Sequence, residues 1–302
     1  MKEFTYASKG IGKIHGCLWE PEGEPKFIVQ IVHGVAEYVL RYAPFAEFLA
    51  SRGGLVAAED HMGHGKSIED HTPLYFEGGW DTAVEDTCTL LLGLRKKFPD
   101  LPCFLFGHSM GSFMARDILF RYPEAGLRGA IICGTGWQPR FNLVGGRALC
   151  AMECRRLGDK NPSKLLHNIM FGAFNKQVEN PRTPNDWICT RREVVDAYTA
   201  DPLCGGMETS GLARDMIYGL RRIQTRKNLD NMPKNLPVFF VSGKSDPVGN
   251  MGKGVVKAAE AFRKAGMKQV SLRLYDGRHE ILNEANRTEV QEDLWAFMRN
   301  LL

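Results

Sequence analysis

The stretch FLFGHSMGSFMARDIL, residues 104–119, carries an apolar run into Gly107-His108-Ser109-Met110-Gly111 and then straight into a helix-like pattern. A serine between two glycines at the end of a buried strand has two readings. On the first, the glycines make a turn and Ser109 merely caps the helix. On the second, Ser109 is a nucleophile in a strained turn, and Gly107 and Gly111 let the backbone fold sharply around His108 and Met110. The five-residue pattern alone does not choose between them. The rest of the chain does.

Outward from this point, short apolar runs alternate with helical periods. KFIVQIVHG, GLVAAED, PCFLFGHS, RGAIICG, LPVFFVSG and QVSLRLYDG read as strands, and KIHGCLWEP as a further one near the start. RYAPFAEFLASRGG, DTAVEDTCTLLLGLRKKFP, GVVKAAEAFRKAG and EVQEDLWAFMRNLL read as helices. Such alternation predicts an α/β fold, a largely parallel sheet with helices on both faces. The rhythm breaks between Trp137 and about Asn231, where helical stretches such as GRALCAMECRRLG and RDMIYGLRRIQT are joined by Pro- and Gly-rich segments. This stretch is too long and too ordered for a loop, so it reads as an insertion. The expected organisation is a core of residues 1–136 and 231–302 with an inserted helical unit over 137–230.

The bulk numbers are those of an ordinary globular chain. At 302 residues there is length for one large domain or two modest ones, with 44% hydrophobic and 25% charged residues. A net charge of +4, widely dispersed, argues against nucleic acid as a partner. MKEFTYASKGIGK does not read as a signal peptide, and no apolar run approaches the roughly 20 residues of a membrane-spanning helix. Eight cysteines sit largely inside apolar segments, Cys103 in PCFLFG and Cys133 in AIICG among them. They are expected to be reduced, in a cytoplasmic protein. Cys150 and Cys154 fall on one predicted helix without the partners a zinc site needs.

Three post-strand loops carry the residue types of nucleophilic hydrolysis. Ser109 follows CFLFGH, Asp246 follows VFFVSGKS, and His279 follows SLRLYDGR. A serine hydroxyl needs a histidine to take its proton and a carboxylate to hold that histidine in one tautomer. As isolated features, Asp246 before Pro247 is a turn residue and His279 a loop histidine; jointly, with this order and these positions, coincidence is a poor account. Asp276 and Glu280, beside His279, are rival acids, and Asp246 has the better position at its own strand end. The backbone amides expected to hold an oxyanion are those of Met110, directly after the serine, and Val35, in the loop after FIVQIVHG. Glu37, Asp60, His61 and His64 lack the helical context that would place two histidines on one metal, and read as loop residues that satisfy backbone groups. No metal and no cofactor is expected.

HGVAEYVLRY, EDHMGHGKS, GHSMGS, SGKSDPVG and YDGRHEILNE together resemble the monoacylglycerol lipase and lysophospholipase-like branch of the α/β hydrolases. MFGAFN, TPNDW and ADPLCG in the insertion resemble bacterial members. The resemblance implies an α/β-hydrolase fold with a helical cap, the nucleophile at Ser109, acid at Asp246, base at His279 and oxyanion amides at Val35 and Met110. Two positions depart from the branch: Tyr38 stands where a histidine is usual, and Met62 where an arginine is usual.

Residues Trp137–Asp230 hold 15 Lys and Arg against 10 Asp and Glu and carry FNLVGG, LLHNIMFGAFN and MIYGL. Such residues over a serine site build an apolar tunnel for acyl chains; the same residues also serve to pack the cap on the core. The expected substrate is a small, lipid-like ester, with a monoacylglycerol or lysophospholipid as the type implied by the resemblance. A short-chain carboxylesterase, or a proline-type aminopeptidase using Glu153, Glu179 or Glu208 to hold an ammonium, are the alternatives, followed by a non-catalytic ligand receptor. Pairing of the chain as a homodimer is left open.

Overall fold

The computed structural model describes residues 1–302. Eight strands form one sheet: β1 (Lys2–Ala7), β2 (Lys13–Trp19), β3 (Phe27–Val32), β4 (Gly54–Glu59), β5 (Cys103–His108), β6 (Gly129–Cys133), β7 (Val238–Gly243) and β8 (Val270–Tyr275). Their order is β1-β2-β4-β3-β5-β6-β7-β8, antiparallel where β2 meets β1 and β4 and parallel elsewhere. This is the α/β-hydrolase architecture. β1, to which the sequence reading assigns no element, is an edge strand.

The helices are α1 (Ala43–Ala50), α2 (Gly79–Lys97), α3 (Met110–Arg121), α4 (Arg140–Leu157), α5 (Lys164–Met170), α6 (Arg192–Ala200), α7 (Ser210–Ile223), α8 (Arg226–Asp230), α9 (Lys253–Lys264) and α10 (Arg287–Arg299). Burial on both faces explains why the central strands are mostly apolar, with Gln30 of β3 and Glu59 of β4 paired to each other inside. In β3, Ile28 and Val32 join the cluster formed with α2, α3 and α9, while Phe27, Val29 and Ile31 join that formed with α1 and α10. Each such side chain, fully removed from water, contributes about 1.5–3 kcal/mol of transfer free energy.

α4 to α8 lie between β6 and β7 in the chain. Leu212, Met216, Leu220 and Ile223 of α7 belong to the same apolar cluster as one face of the sheet. Trp80 of α2 lies against Gly219, and its Nε1 donates to buried Asp117 of α3 at 2.9 Å. Arg222 of α7 reaches the same carboxylate at 3.3 Å. α7 is thus anchored through apolar packing and a polar link.

The chain runs from β3 to β4 on one side and then to β5 on the other, so connections diverge at the carboxyl ends of β3 and β5. Open α/β sheets form their crevices at such a point. Residues 33–38 and Ser109 sit there.

Candidate active site

Ser109 joins β5 to α3 with φ +53° and ψ −121°, a conformation that costs a non-glycine residue on the order of 1–3 kcal/mol. The surroundings hold it there. Its N–H donates to the Cys133 carbonyl at 3.0 Å, and the Ser112 hydroxyl donates to its carbonyl at 2.5 Å. The flanking glycines are steric necessities. A Cβ on Gly107 would stand 2.8 Å from that of Ala115, and one on Gly111 would run into the carbonyls of Val32 and His33. Met110 is the first residue of α3, so its N–H has no acceptor within the helix.

Asp246 and His279 leave the ends of β7 and β8. His279 Nδ1 donates to Asp246 Oδ1 at 3.0 Å, and both side chains are buried. Asp246 also accepts from the Ser242 hydroxyl and the Val248 N–H, each at 2.9 Å. Burial alone would raise this carboxyl, but the His279 imidazole and the two further hydrogen bonds outweigh it and hold Asp246 below its ordinary value. The rival acids are engaged elsewhere. Glu280 receives Arg41 in a fork at 2.6 and 2.7 Å, and Asp276 pairs with Lys244 at the surface.

The loop after β3 is held by side chains that serve its backbone. Glu37 accepts from the Gly34 N–H at 2.6 Å, and Asp60 from the Val39 and Lys66 N–H groups at 2.8 and 2.9 Å. His33 Nδ1 donates to the Gly34 carbonyl, and His61 Nε2 to the His33 carbonyl. Burial pushes the His33 imidazole down to about 3 and keeps His64 below its ordinary value, so these rings are neutral. No group of His, Cys, Asp and Glu is arranged to hold a metal ion. The eight cysteines are unpaired thiols, and no helix is long and apolar enough to cross a membrane.

Val35, Ser109 and His279 border one cavity of about 350 Å³. Its outer wall comes from the inserted segment, and it is not the apolar tunnel expected from the sequence. Phe171, Trp187 and Ile188 supply apolar surface, but His167, Asn168, Asn175, Asn185 and Glu208 set polar groups among it. The reason lies in packing. Leu143, Leu166 and Met216 are buried between helices, while Phe141, Val144 and Ile169 face solvent. Of the three acids weighed for an ammonium, only Glu208 faces the cavity, with Oε2 on His167 Nδ1 at 2.8 Å and Oε1 buried without a partner. Glu153 is bound to Arg156 and Ser163, and Glu179 is exposed.

Sequence reasoning missed Arg41, Tyr42, Ser242 and Tyr198. Arg41 carries a signal: it follows Glu37 by four residues, and its guanidinium meets Glu37 at 2.8 Å.

The family model described as Serine aminopeptidase, S33, matches residues 23–286. The monoacylglycerol lipase of Mycolicibacterium smegmatis is 28% identical, covering 98% of this chain and 96% of that protein. A highly thermostable carboxyl esterase from Bacillus coagulans, solved in complex with glycerol, superposes with a TM-score of 0.92 at 29% identity, covering 99% of this chain and 98% of the other. A lipase solved in an open form superposes with a TM-score of 0.89 at 30% identity, with the same coverage.

Proposed function

The chain belongs to the Serine aminopeptidase, S33, family and is a carboxylic ester hydrolase of monoacylglycerol lipase-like type; from that premise we propose that Ser109, His279 and Asp246 carry the reaction through an acyl-enzyme. The observation that carries this reading is the 3.0 Å bond between His279 and Asp246 beside a serine in a strained turn, with Ser109 and His279 open to one cavity.

The Ser109 hydroxyl oxygen attacks the ester carbonyl carbon as His279 Nε2 takes its proton. The amides of Val35 and Met110 hold the oxyanion, each donor contributing about 3 kcal/mol in comparable sites. Collapse of the intermediate breaks the bond to the alcohol oxygen, which leaves with the proton from His279. Water then gives a proton to His279 and attacks the acyl carbon. Ser109 departs with that proton as the acid is released. Asp246 keeps the Nδ1 proton in place throughout, so that Nε2 faces the serine.

The substrate class we assign is a lipid-like ester with a compact polar alcohol, of monoacylglycerol or lysophospholipid type. Two observations support it: a relative that is itself a monoacylglycerol lipase, and a cavity wall that combines Phe171 and Trp187 with Asn168, Asn185 and Glu208. Residues 137–230 act as the cap that closes over the site. The polar share of the wall also favours a second reading, hydrolysis of short-chain esters.

The test is turnover of p-nitrophenyl esters from acetate to palmitate and of monoacylglycerols, with Ser109→Ala alongside. Activity absent in Ser109→Ala and highest on monoacylglycerols is expected. Residual turnover in Ser109→Ala would sink the nucleophile assignment, and a rate confined to acetate and butyrate would select the short-ester reading. Proline p-nitroanilide as the preferred substrate would replace both by an aminopeptidase.

A further inference from the structure

Ala36, next to Val35, is a non-glycine residue with φ +54°. Its carbonyl accepts two hydrogen bonds, from the Tyr198 hydroxyl and the Gly205 N–H, both at 2.9 Å. Both donors belong to the inserted segment. A third link runs close by, from the Tyr38 hydroxyl to Asp201 Oδ2 at 2.8 Å. The Gly205 donor ends the stretch ADPLCG, residues 200–205, which the sequence singles out and the reaction does not use.

The turn is built to present its last amide. Asp201 Oδ1 accepts from the Leu203 N–H at 2.9 Å, and the Asp201 carbonyl from the Cys204 N–H at 3.0 Å. Gly205 follows at φ +66°, where a side chain would also crowd the Tyr198 ring. That ring is buried and lies 4.7 Å from the Arg41 guanidinium, so its hydroxyl is held on Ala36.

We propose that Tyr198 and the Asp201–Gly205 turn are an outer clamp on the oxyanion loop, positioning the Val35 amide from the inserted segment. The loop is fixed from two sides. From the core, Glu37 holds the Gly34 N–H and Asp60 holds the Val39 N–H. From outside, Ala36 is held by the clamp, and the two bonds stabilise a backbone conformation alanine otherwise avoids. The oxyanion site is therefore complete only when the inserted segment is seated. Tyr38, a departure from the resembled branch, supplies one bolt of this clamp. The inference rests on Val35 as an oxyanion donor in a Ser109 mechanism.

Tyr198→Phe keeps the ring against Arg41 and removes only the hydroxyl. We expect kcat on p-nitrophenyl butyrate to fall roughly tenfold to a hundredfold, the scale of a small misplacement of a catalytic group, with KM nearly unchanged. Affinity for an alkyl boronic acid, whose tetrahedral adduct uses the same amides, falls by the same factor. Rates are expressed per serine titrated by a fluorophosphonate, so loss of folded protein does not enter. Asp201→Ala behaves likewise, and Asp201→Asn restores the rate, since an amide still accepts from Leu203 and reaches the Tyr38 hydroxyl. If Tyr198→Phe does not fold, the two Asp201 variants carry the test. Wild-type kcat and boronate affinity in Tyr198→Phe, or in Asp201→Ala where that variant carries the test, overturn the clamp while an inactive Ser109→Ala leaves the hydrolase reading intact. An active Ser109→Ala overturns both.

Discussion

His108 Nε2 donates to the backbone carbonyl of His279 at 3.3 Å, and the two rings stand 4.6 Å apart. The residue before the serine thus holds the loop of the histidine. On its other side, His108 Nδ1 meets Glu37 Oε1 at 3.2 Å and the Tyr42 hydroxyl oxygen at 2.7 Å. Tyr42 itself donates to Glu37 at 2.8 Å. With acceptors at both nitrogens, the ring satisfies every partner as an imidazolium. Burial opposes that charge, but the hydrogen bond and charge of Glu37, with Glu280 behind it, raise His108 above its ordinary value. His108 and Arg41 then balance Glu37 and Glu280, and this buried quartet ties the oxyanion loop to the loop of His279.

Removing one member leaves the others uncompensated. Arg41→Ala strands Glu37 and Glu280, and loss of one partner from a buried ion pair costs about 3–5 kcal/mol. Urea unfolding at pH 7 is expected to show a loss of that size, with kcat falling as the two loops separate. A change below about 1 kcal/mol would mean that water replaces the guanidinium and the quartet does not hold the loops.

Asp246→Asn tests the other support of His279. Replacing a carboxylate by an amide at this position turns the imidazole to the wrong tautomer, and a loss of roughly 10³–10⁴ in kcat is expected with the fold retained. Because the Asp246 carboxyl is held below its ordinary value, the stability it gives is present above the unfolded pKa of about 3.9 and is lost only as the pH falls below that. The wild-type rate between pH 5 and 8 accordingly owes none of its variation to Asp246. A variant within tenfold of wild type would remove Asp246 from the mechanism.

Gly111→Ala probes the turn at Ser109. Its Cβ would meet two backbone carbonyls, those of Val32 and His33, which cannot swing away as a flexible side chain can. The start of α3 must move, taking the Met110 amide with it. We expect more than about 3 kcal/mol of destabilisation, at or beyond the upper range for overpacking, and loss of turnover in whatever folds. Normal stability and rate would show that the turn has room not apparent from its geometry.

The central strands and the three loops were legible because each reading is local. A run such as FIVQIV, apolar but for Gln30, signals burial on both faces; Ser109 and Asp246 each follow a run of that kind, and His279 follows the alternating strand VSLRLY. β1 was not, because KEFTYA is an edge strand with four of its six residues exposed and none buried. Arg41 and Glu280 lie 239 residues apart, and Tyr198 and Ala36 162 apart, so no window of sequence contains either contact. The lining of the cavity failed for a related reason. Composition of the insertion counts Phe141 and Asn168 alike, but only packing decides that Phe141 faces solvent and Asn168 the cavity.

Glu59, at the end of β4, gives a prediction with a definite sign. It is fully buried, Gln30 donates to Oε2 at 3.1 Å, and Oε1 has no partner. Burial pushes its carboxyl up to about 8, against partial relief from the neighbouring Thr87 and Gln30 side chains. Between the unfolded value near 4.3 and about 8, the folded chain holds a proton that the unfolded chain has released, so folding stability falls as pH rises through that window. Glu59→Gln keeps the shape and removes the titration. The variant is expected to be close to wild type at pH 4 and to gain on it steadily up to pH 8, where the difference reaches a few kcal/mol by urea unfolding. A stability difference that stays flat across pH 4–8 would mean that Glu59 is ionised in the fold, with water or a cation reaching it.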